Sequence, residues 1–325
     1  MTITFLGNFS VDFTSESHYL KTFKELGHEV IALQEGKSSS QQILKNAQKS
    51  DLFFWVHTHG WNTDGISKVL KILKEKNIPT VGYHLDLWLG IERERDLTTD
   101  PYWDIEYFFS VDMLMVEYLN ANPSLPKAFF LNAGVLGSEC CIGEQRTEYR
   151  HDIIFVGSRN YHKEWPYRLE LINWLENTYG KRFALYGSDG YGVKRGTDLN
   201  NLYASAKIVI GDTLCKGFDY PFYFSDRIFE TTGRGGFLIH PDITGIKGLF
   251  QTQGTPKDGE FDTSKTEVIT YDFNDFDNLE YLIDYYLHNE EERKAIQMRG
   301  HKRTKREHTY THQLLFLLDT IKNES

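Results

Sequence analysis

Twice along this chain short apolar runs alternate with amphipathic stretches, and nothing else in the sequence restricts the fold as strongly. In the first half, Ile3 to Leu6, GHEVIAL around Val30 and Ile31, Asp51 to His57, IPTVGYH from Ile78, Glu106 to Ser110 and Lys127 to Leu131 read as strands. Between them Tyr19, Phe23 and Leu26 share a helical face that Gly27 ends, and Gly65 to Lys76 sets Ile66, Val69, Leu70 and Leu73 at helical spacing. Val111 to Leu119 reads as a further helix. Apolar strands separated by helices predict a parallel sheet covered on both faces.

The rhythm then pauses at NAGVLGSECCIGEQRTEYRH, poor in large apolar residues after Leu136, and restarts. DIIFVGS, FALYG, KIVIGD and GGFLIH read as strands, with helices at Trp165 to Tyr179, Leu199 to Ala206 and Asp226 to Thr232 between them. The tail reads as helices at Leu279 to Leu287, Glu290 to about Arg299 and Tyr310 to Ile321. The expected organisation is an α/β chain of two doubly wound parallel-sheet domains, residues 1–145 and 146–306. A last helix in residues 307–325 is expected to cross back to the first domain.

Charge and cysteine content narrow the partners. A net charge of −10 is not the basic field of a protein that holds nucleic acid mainly through phosphates, although a local basic patch remains compatible with it. Three cysteines, two of them adjacent at 140 and 141, form neither a disulfide framework nor a CxxC metal pattern, as in a reducing compartment. The first residues, MTITFLGNFS, lack a signal-peptide pattern, and no run of about 18 apolar residues occurs. A cytoplasmic chain without stable membrane insertion is expected.

In open parallel sheets, ligands gather outside the carboxyl ends of the strands. Neither half carries G-x-G-x-x-G after its first strand, and there is no P-loop, which disfavours dinucleotide dehydrogenases and P-loop NTPases. The series FVGSRNYHKEWPYR, ALYGSDG, LYASAKIVIGD and SDRIFETTGRGGFLI resembles, in order and spacing, the second domain of GT-B-fold nucleotide-sugar glycosyltransferases. The resemblance is closest to the spore-maturation-protein-type branch of the group 1 glycosyl transferases, and VGYHLDLW, YFFSVD and FLNAGV extend it into the first half.

That resemblance implies a glycosyltransferase with two Rossmann-like domains facing a cleft, metal-independent, with no obligatory cofactor beyond a UDP-, GDP- or other nucleotide-sugar donor. It places Glu230 on the donor's ribose and a basic residue after the first strand of the second domain, Arg159, on the diphosphate, assisted by His162 or Lys163. Position 222, where the family carries a second acid, is Phe, so that Asp219 or Asp226 would have to substitute. Fixed cations and helix N-terminal amides suit a leaving diphosphate, which makes Arg227 a second candidate, with a structural ion pair to Asp226 or Glu230 as the other reading. Gly157 and Ser158 shape the strand-end turn before Arg159. Tyr186 and Gly187 fall in the region that the family places beside the nucleobase. Gly233, Gly235 and Gly236 permit a tight turn and close approach to ligand, or simply connect helix to strand.

On the acceptor side His84 and Asp86, two apart on an extended strand end, face one way and could deprotonate an acceptor hydroxyl. His57 and His59 share that spacing without a third clustered ligand, and no metal site is expected. Asp12 and Glu16 fall in the first loop on the same side. Asp275-Phe276-Asp277 reads as a helix cap, and so does Ser225. Arg299, Lys302, Arg303, Lys305 and Arg306 form the densest basic run, either a solvated helix face or a seat for an anionic acceptor. Retention is the expected outcome, with the leaving diphosphate taking the acceptor proton; inversion would make Asp86 or His84 the base. A glycan, a protein, a lipid-linked sugar and a hydroxymethylated base in DNA are the acceptor classes. A same-fold epimerase or hydrolase and a binding module without catalysis are the rival functions.

Overall fold

In the computed structural model, which describes residues 1–97, 99–160, 166–213, 222–253 and 262–324, the chain divides into two units. Unit 1 is Met1–Leu136 with Tyr310–Ser325, and unit 2 is Gly137–Thr309. Each holds an all-parallel sheet, six-stranded among the described residues.

Unit 1 runs β1 (Thr2–Gly7), α1 (Ser15–Glu25), β2 (Glu29–Gln34), α2 (Ser40–Ala47), β3 (Leu52–Trp55), α3 (Ile66–Glu75), β4 (Thr80–His84), β5 (Tyr107–Ser110), α4 (Met113–Asn120) and β6 (Lys127–Phe130). The strand order is β2-β1-β3-β4-β5-β6. Because alternate residues of a strand face opposite sides, Ile3 and Phe5 meet α1 on one face while Leu6 and Phe53 meet α2, α3 and α4 on the other. Ser39 caps α2 by accepting from the Gln42 amide at 3.2 Å. The periodicity reading missed α2 because it buries only Ile43 and Ala47.

Unit 2 runs β7 (Ile153–Val156), α5 (Pro166–Tyr179), β8 (Phe183–Tyr186), α6 (Gly196–Ser205), β9 (Ile208–Ile210), α7 (Asp226–Gly233), β10 (Leu238–Pro241), β11 (Thr252–Gln253), β12 (Val268–Tyr271), α8 (Phe276–His288) and α9 (Glu290–Glu307), in strand order β11-β12-β10-β9-β7-β8. The last helix, α10 (Tyr310–Glu324), belongs to unit 1, where Tyr310, Leu314 and Leu317 join the α1 face of the core.

Three expectations are corrected. The boundary drawn at 145/146 falls inside unit 2, because residues 137–146 are docked on α6. Asn200 donates to Glu139 O and Cys141 O at 3.1 and 3.0 Å, and a Cβ on Gly143 would lie 2.4 Å from the Asn200 backbone. Small and polar residues there serve close packing and not flexibility. Helix α9 continues to Glu307, eight residues beyond Arg299, and the strands β11 and β12 were not foreseen.

Candidate functional site

The carboxyl ends of β7, β8, β9 and β10 in unit 2 are built around glycine. Gly157, at φ +151°, follows β7, and its amide donates to Tyr186 O at 2.8 Å. A Cβ on Gly187 would lie 2.4 Å from Gly157 O, so the two strand-end turns touch through backbone that no side chain could separate.

Beside them lies a buried ion cluster. Asp212, two residues beyond β9, accepts from Arg168 Nε at 2.6 Å and from Arg227 Nη1 at 2.7 Å. Burial pushes the Asp212 carboxyl up, but Arg168 and Arg227 together hold it below the usual carboxylate range. Two guanidinium groups therefore share the Asp212 carboxylate. Arg227 Nε donates to Val156 O at 2.8 Å, and its ring-side face covers Phe155 at 5.3 Å. Its Nη2 has no hydrogen-bond partner among the described residues, and a Cβ on Gly157 would sit 2.8 Å from it. The sequence offered Asp226 or Glu230 as Arg227's ionic partner; the structure gives it Asp212, because helical geometry turns Arg227 towards β7 and β9.

His240, at the end of β10, is buried and gives Nδ1–H to Pro241 O at 2.8 Å, leaving Nε2 without a partner. Burial lowers its pKa to about 4, so the ring is neutral and Nε2 is an open acceptor.

Glu230, one turn into α7, accepts from Arg234 Nε through Oε2 at 2.5 Å, while Oε1 has no partner among the described residues. Burial raises its pKa, against the opposing pull of Arg234. Arg234 itself is 2% exposed and is the hub that sequence reasoning missed. It also reaches Glu139, Asn200 and Gly196 O, and so fixes Glu230 against the docked 137–146 segment. Its signal was present as an i,i+4 Glu–Arg pair. Gly233 ends α7 and its carbonyl accepts from His301. Gly235, at φ +77°, makes its close approach to Ile142 and not to open space, since a Cβ there would lie 2.7 Å from that side chain.

Other expected residues lie apart from this cluster. Arg159's guanidinium is taken by Glu176 on α5, at 2.5 and 3.0 Å, and lies 3.6 Å from Asp189. Ser158 contributes its carbonyl to Arg168 at 3.3 Å. Ser225 is the N-cap of α7, but its hydroxyl donates to Asp212 O at 3.4 Å and caps no helix amide. Asp226 is exposed in the first turn. Phe222 stands at φ +57° against Gly245. Asp219, His162 and Lys163 lie outside the described residues. Asp275 caps α8 by accepting from the Asn278 amide at 2.9 Å, as read. Tyr186 donates to or accepts from His151 Nε2 at 3.0 Å, next to the exposed Tyr191. In the basic run, Arg299 donates to Thr263 O and Thr266 O, and Arg303 to Leu249 O, so these two arginines dock α9 on the preceding loop.

In unit 1 the strand ends carry a cluster of opposite sign. Glu35, just after β2, accepts from Trp55 Nε1 at 2.7 Å, His57 Nδ1 at 2.6 Å and the Thr58 amide at 2.7 Å. His57 Nε2 reaches Asp100 at 3.2 Å. Burial alone would lower the imidazole, but Asp100 and Glu35 overcome it and raise His57 to about 9. His59 pairs with Asp96 at 2.8 Å, so His57 and His59 serve separate carboxylates. His84 and Asp86 are brought together by Arg93, which donates to His84 Nε2 at 3.2 Å and lies 3.7 Å from Asp86. Burial and then Arg93 hold His84 well below its ordinary pKa, and its Nε2 lone pair is occupied. Glu16 is raised to about 7 by burial.

Comparisons with known proteins bear on the fold. Residues 168–319 match the model of a family described as glycosyl transferase-like. No curated protein sequence matches the chain. Among solved structures, an alpha-glucosyltransferase in complex with UDP-glucose and DNA containing an abasic site superposes with a TM-score of 0.71 at 12% identity, covering 99% of each chain. The chain has the GT-B fold, and residues 168–319 carry the pattern of a glycosyl transferase-like family. A glycosyltransferase from Rickettsia africae ESF-5 has the same fold at a TM-score of 0.56 and 14% identity, over 99% of this chain and 98% of the other. The lipopolysaccharide outer core galactosyltransferase WaaB does so at 0.55 and 12% identity over the whole of both chains. The spore-maturation-type branch expected from sequence is not among the families matched by the glycosyltransferase.

Proposed function

We propose that this glycosyltransferase moves a sugar from a UDP-sugar to a hydroxyl of a hydroxymethylated base in DNA, with retention and without a required metal. The observation that carries the donor half is the unpartnered Nη2 of Arg227 beside Gly157, on a guanidinium whose Nε and Nη1 are fixed by Val156 O and Asp212. Breaking the sugar–phosphate bond leaves negative charge on the diphosphate, and a preorganised guanidinium in a largely buried site stabilises it more than water does. We assign that role to Arg227. Arg159, already neutralised by Glu176 and Asp189, is left to shape the Gly157-Ser158 turn. Glu230 Oε1 is assigned to the ribose hydroxyls, Tyr186 and Gly187 to the nucleobase side, and Asp226 and Gly233 to the start and end of the helix that carries Glu230. These fixed cations supply the charge that a divalent ion supplies in metal-dependent transferases, which is the basis of the metal-independent reading.

For the acceptor, the support is the fold match over 99% of both chains to the alpha-glucosyltransferase with UDP-glucose and DNA, together with one bound to UDP and a 13-mer DNA containing a HMU base at a TM-score of 0.70. The reading of retention is supported by the unit 1 imidazoles: His84 Nε2 is engaged by Arg93 and His57 is held between Glu35 and Asp100, and the leaving diphosphate is then assigned the acceptor's proton. Asp86 as the base of an inverting reaction is the second reading, favoured only by its partial exposure. Incubating the protein with UDP-glucose and DNA carrying hydroxymethylated bases, in EDTA, is expected to add one hexose per modified base by mass spectrometry, with the α-anomer by NMR. Glucose release without base modification would refute the transfer, and a β-anomer the stereochemistry.

A further inference from the structure

Within this acidic chain one stretch has the opposite sign. Residues 36–79 hold seven lysines, at 37, 45, 49, 68, 71, 74 and 76, against three acids, while the whole chain carries −10. The fold collects them on α2, α3 and their flanking loops. Helix α3 buries Ile66, Val69, Leu70 and Leu73, which leaves Lys68, Lys71 and Lys74, spaced by three, on its outer face. Helix α2 buries Ile43 and Ala47 and exposes Gln41, Gln42 and Lys45, with Lys49 just beyond its end. The two helices pack side by side on one face of the sheet. Neither carries an acid before Glu75, and none of the seven lysines has a carboxylate partner among the described residues.

The stripe also has a direction. Helices in such a sheet begin where the preceding strand ends, so Lys37 and Lys68 lie towards the ligand end of unit 1, and Lys49, Lys74 and Lys76 at the far end. Trp61, in the loop before α3, is 39% exposed and lies over Gly36, where a Cβ would be 3.1 Å from the indole. The stripe thus starts beside a flat aromatic surface at the loop end of the sheet.

We propose that the outer face of α2 and α3 is a docking surface for the phosphate backbone of double-stranded DNA, separate from the transfer site. This rests on the reading that the acceptor is a base in DNA. The case for a polyanion is charge complementarity. A ten-residue helix rises about 15 Å, and duplex DNA carries a negative charge for about every 1.7 Å of axis, so a row of unpaired lysines meets several phosphates at once. Lysine contacts of this kind position a duplex and read no sequence. They let a protein of negative net charge hold DNA through one face.

The test is fluorescence anisotropy of a labelled 20-base-pair duplex without hydroxymethylated bases, titrated with the full chain over a series of NaCl concentrations. Lys45→Gln/Lys68→Gln/Lys71→Gln is expected to weaken binding at least tenfold at low salt and to reduce the slope of log affinity against log salt by about 2 to 3. An equal loss of charge in Lys302→Gln/Lys305→Gln/Lys322→Gln is expected to leave affinity within about twofold. Unchanged affinity and slope in the first variant, equal loss in both, or no binding by the wild-type protein at 50 mM salt would each overturn the proposal. Sugar transfer is read separately. If the face binds duplex but no sugar reaches DNA, the acceptor reading falls and the surface stands. If sugar reaches DNA and the first variant keeps its KM for duplex, the surface falls and the acceptor reading stands.

Discussion

Both sheets end in a buried ion cluster at the carboxyl ends of their strands, and the two clusters differ in sign. In unit 2 one carboxylate, Asp212, serves two guanidinium groups; in unit 1 one imidazolium, His57, sits between two carboxylates, Glu35 and Asp100. On the proposed reading, the cluster that keeps an arginine N–H free takes the diphosphate, and the cluster of two carboxylates about one imidazole takes a neutral hydroxyl. Both sheets share the order of their first four strands and differ in the last two, so the contrast in charge lies in the strand-end side chains.

The largest effect is expected where the free guanidinium donor is removed. Arg227→Met leaves Asp212 paired with Arg168 and removes Nη2, and kcat for sugar transfer is expected to fall roughly 10² to 10³-fold, the range for losing a preorganised donor to a developing oxyanion. Steady-state kinetics with melting temperature as a fold control read this. Retained kcat would erase the contrast between the units.

The unit 1 cluster is tested by pH. Because the folded state raises His57 from 6.5 to about 9, its contribution to stability is complete below the ordinary pKa and is lost as pH rises through 9. The shift corresponds to about 3 kcal/mol. Urea unfolding at pH 6 and pH 10 is expected to show the wild type losing about that much more stability than His57→Gln.

How much of this was legible in the sequence differs between backbone and site. The strands were visible because buried parallel strands are uninterrupted apolar runs, as in DLFFWVH and DIIFVGS. Glu230 and Arg227 were singled out from the SDRIFETTGRGG stretch. The ion pairs around them were not legible, because Asp212 lies 15 positions from Arg227 and Glu139 lies 95 from Arg234, and only the fold joins them. Arg159 stands after a strand-end glycine, as in the resembling family, but its ion pair was not legible, because Glu176 comes from α5. The packing of residues 137–146 was hidden for the same reason, since composition does not show that Gly143 is pressed against Asn200.

A sharper use of the contrast separates parts of the donor. Glu230→Gln is expected to weaken UDP binding about tenfold, within the range for a hydrogen bond to a charged group, while inorganic pyrophosphate, which has no ribose, binds as before. Calorimetry with the two ligands checks it. The smallest effect is expected in unit 1, where Asp86→Asn should change kcat less than threefold if the leaving diphosphate takes the proton. A loss of 10² to 10⁴, the range for a general base, would instead assign that task to Asp86.

The most direct measurement is a crystal structure of the chain with bound UDP. Diphosphate oxygens within hydrogen-bond distance of Arg227 Nη2, with the ribose hydroxyls on Glu230 Oε1, are the predicted result. A diphosphate seated on Arg159, or in unit 1, with Arg227 facing no ligand, would contradict the account.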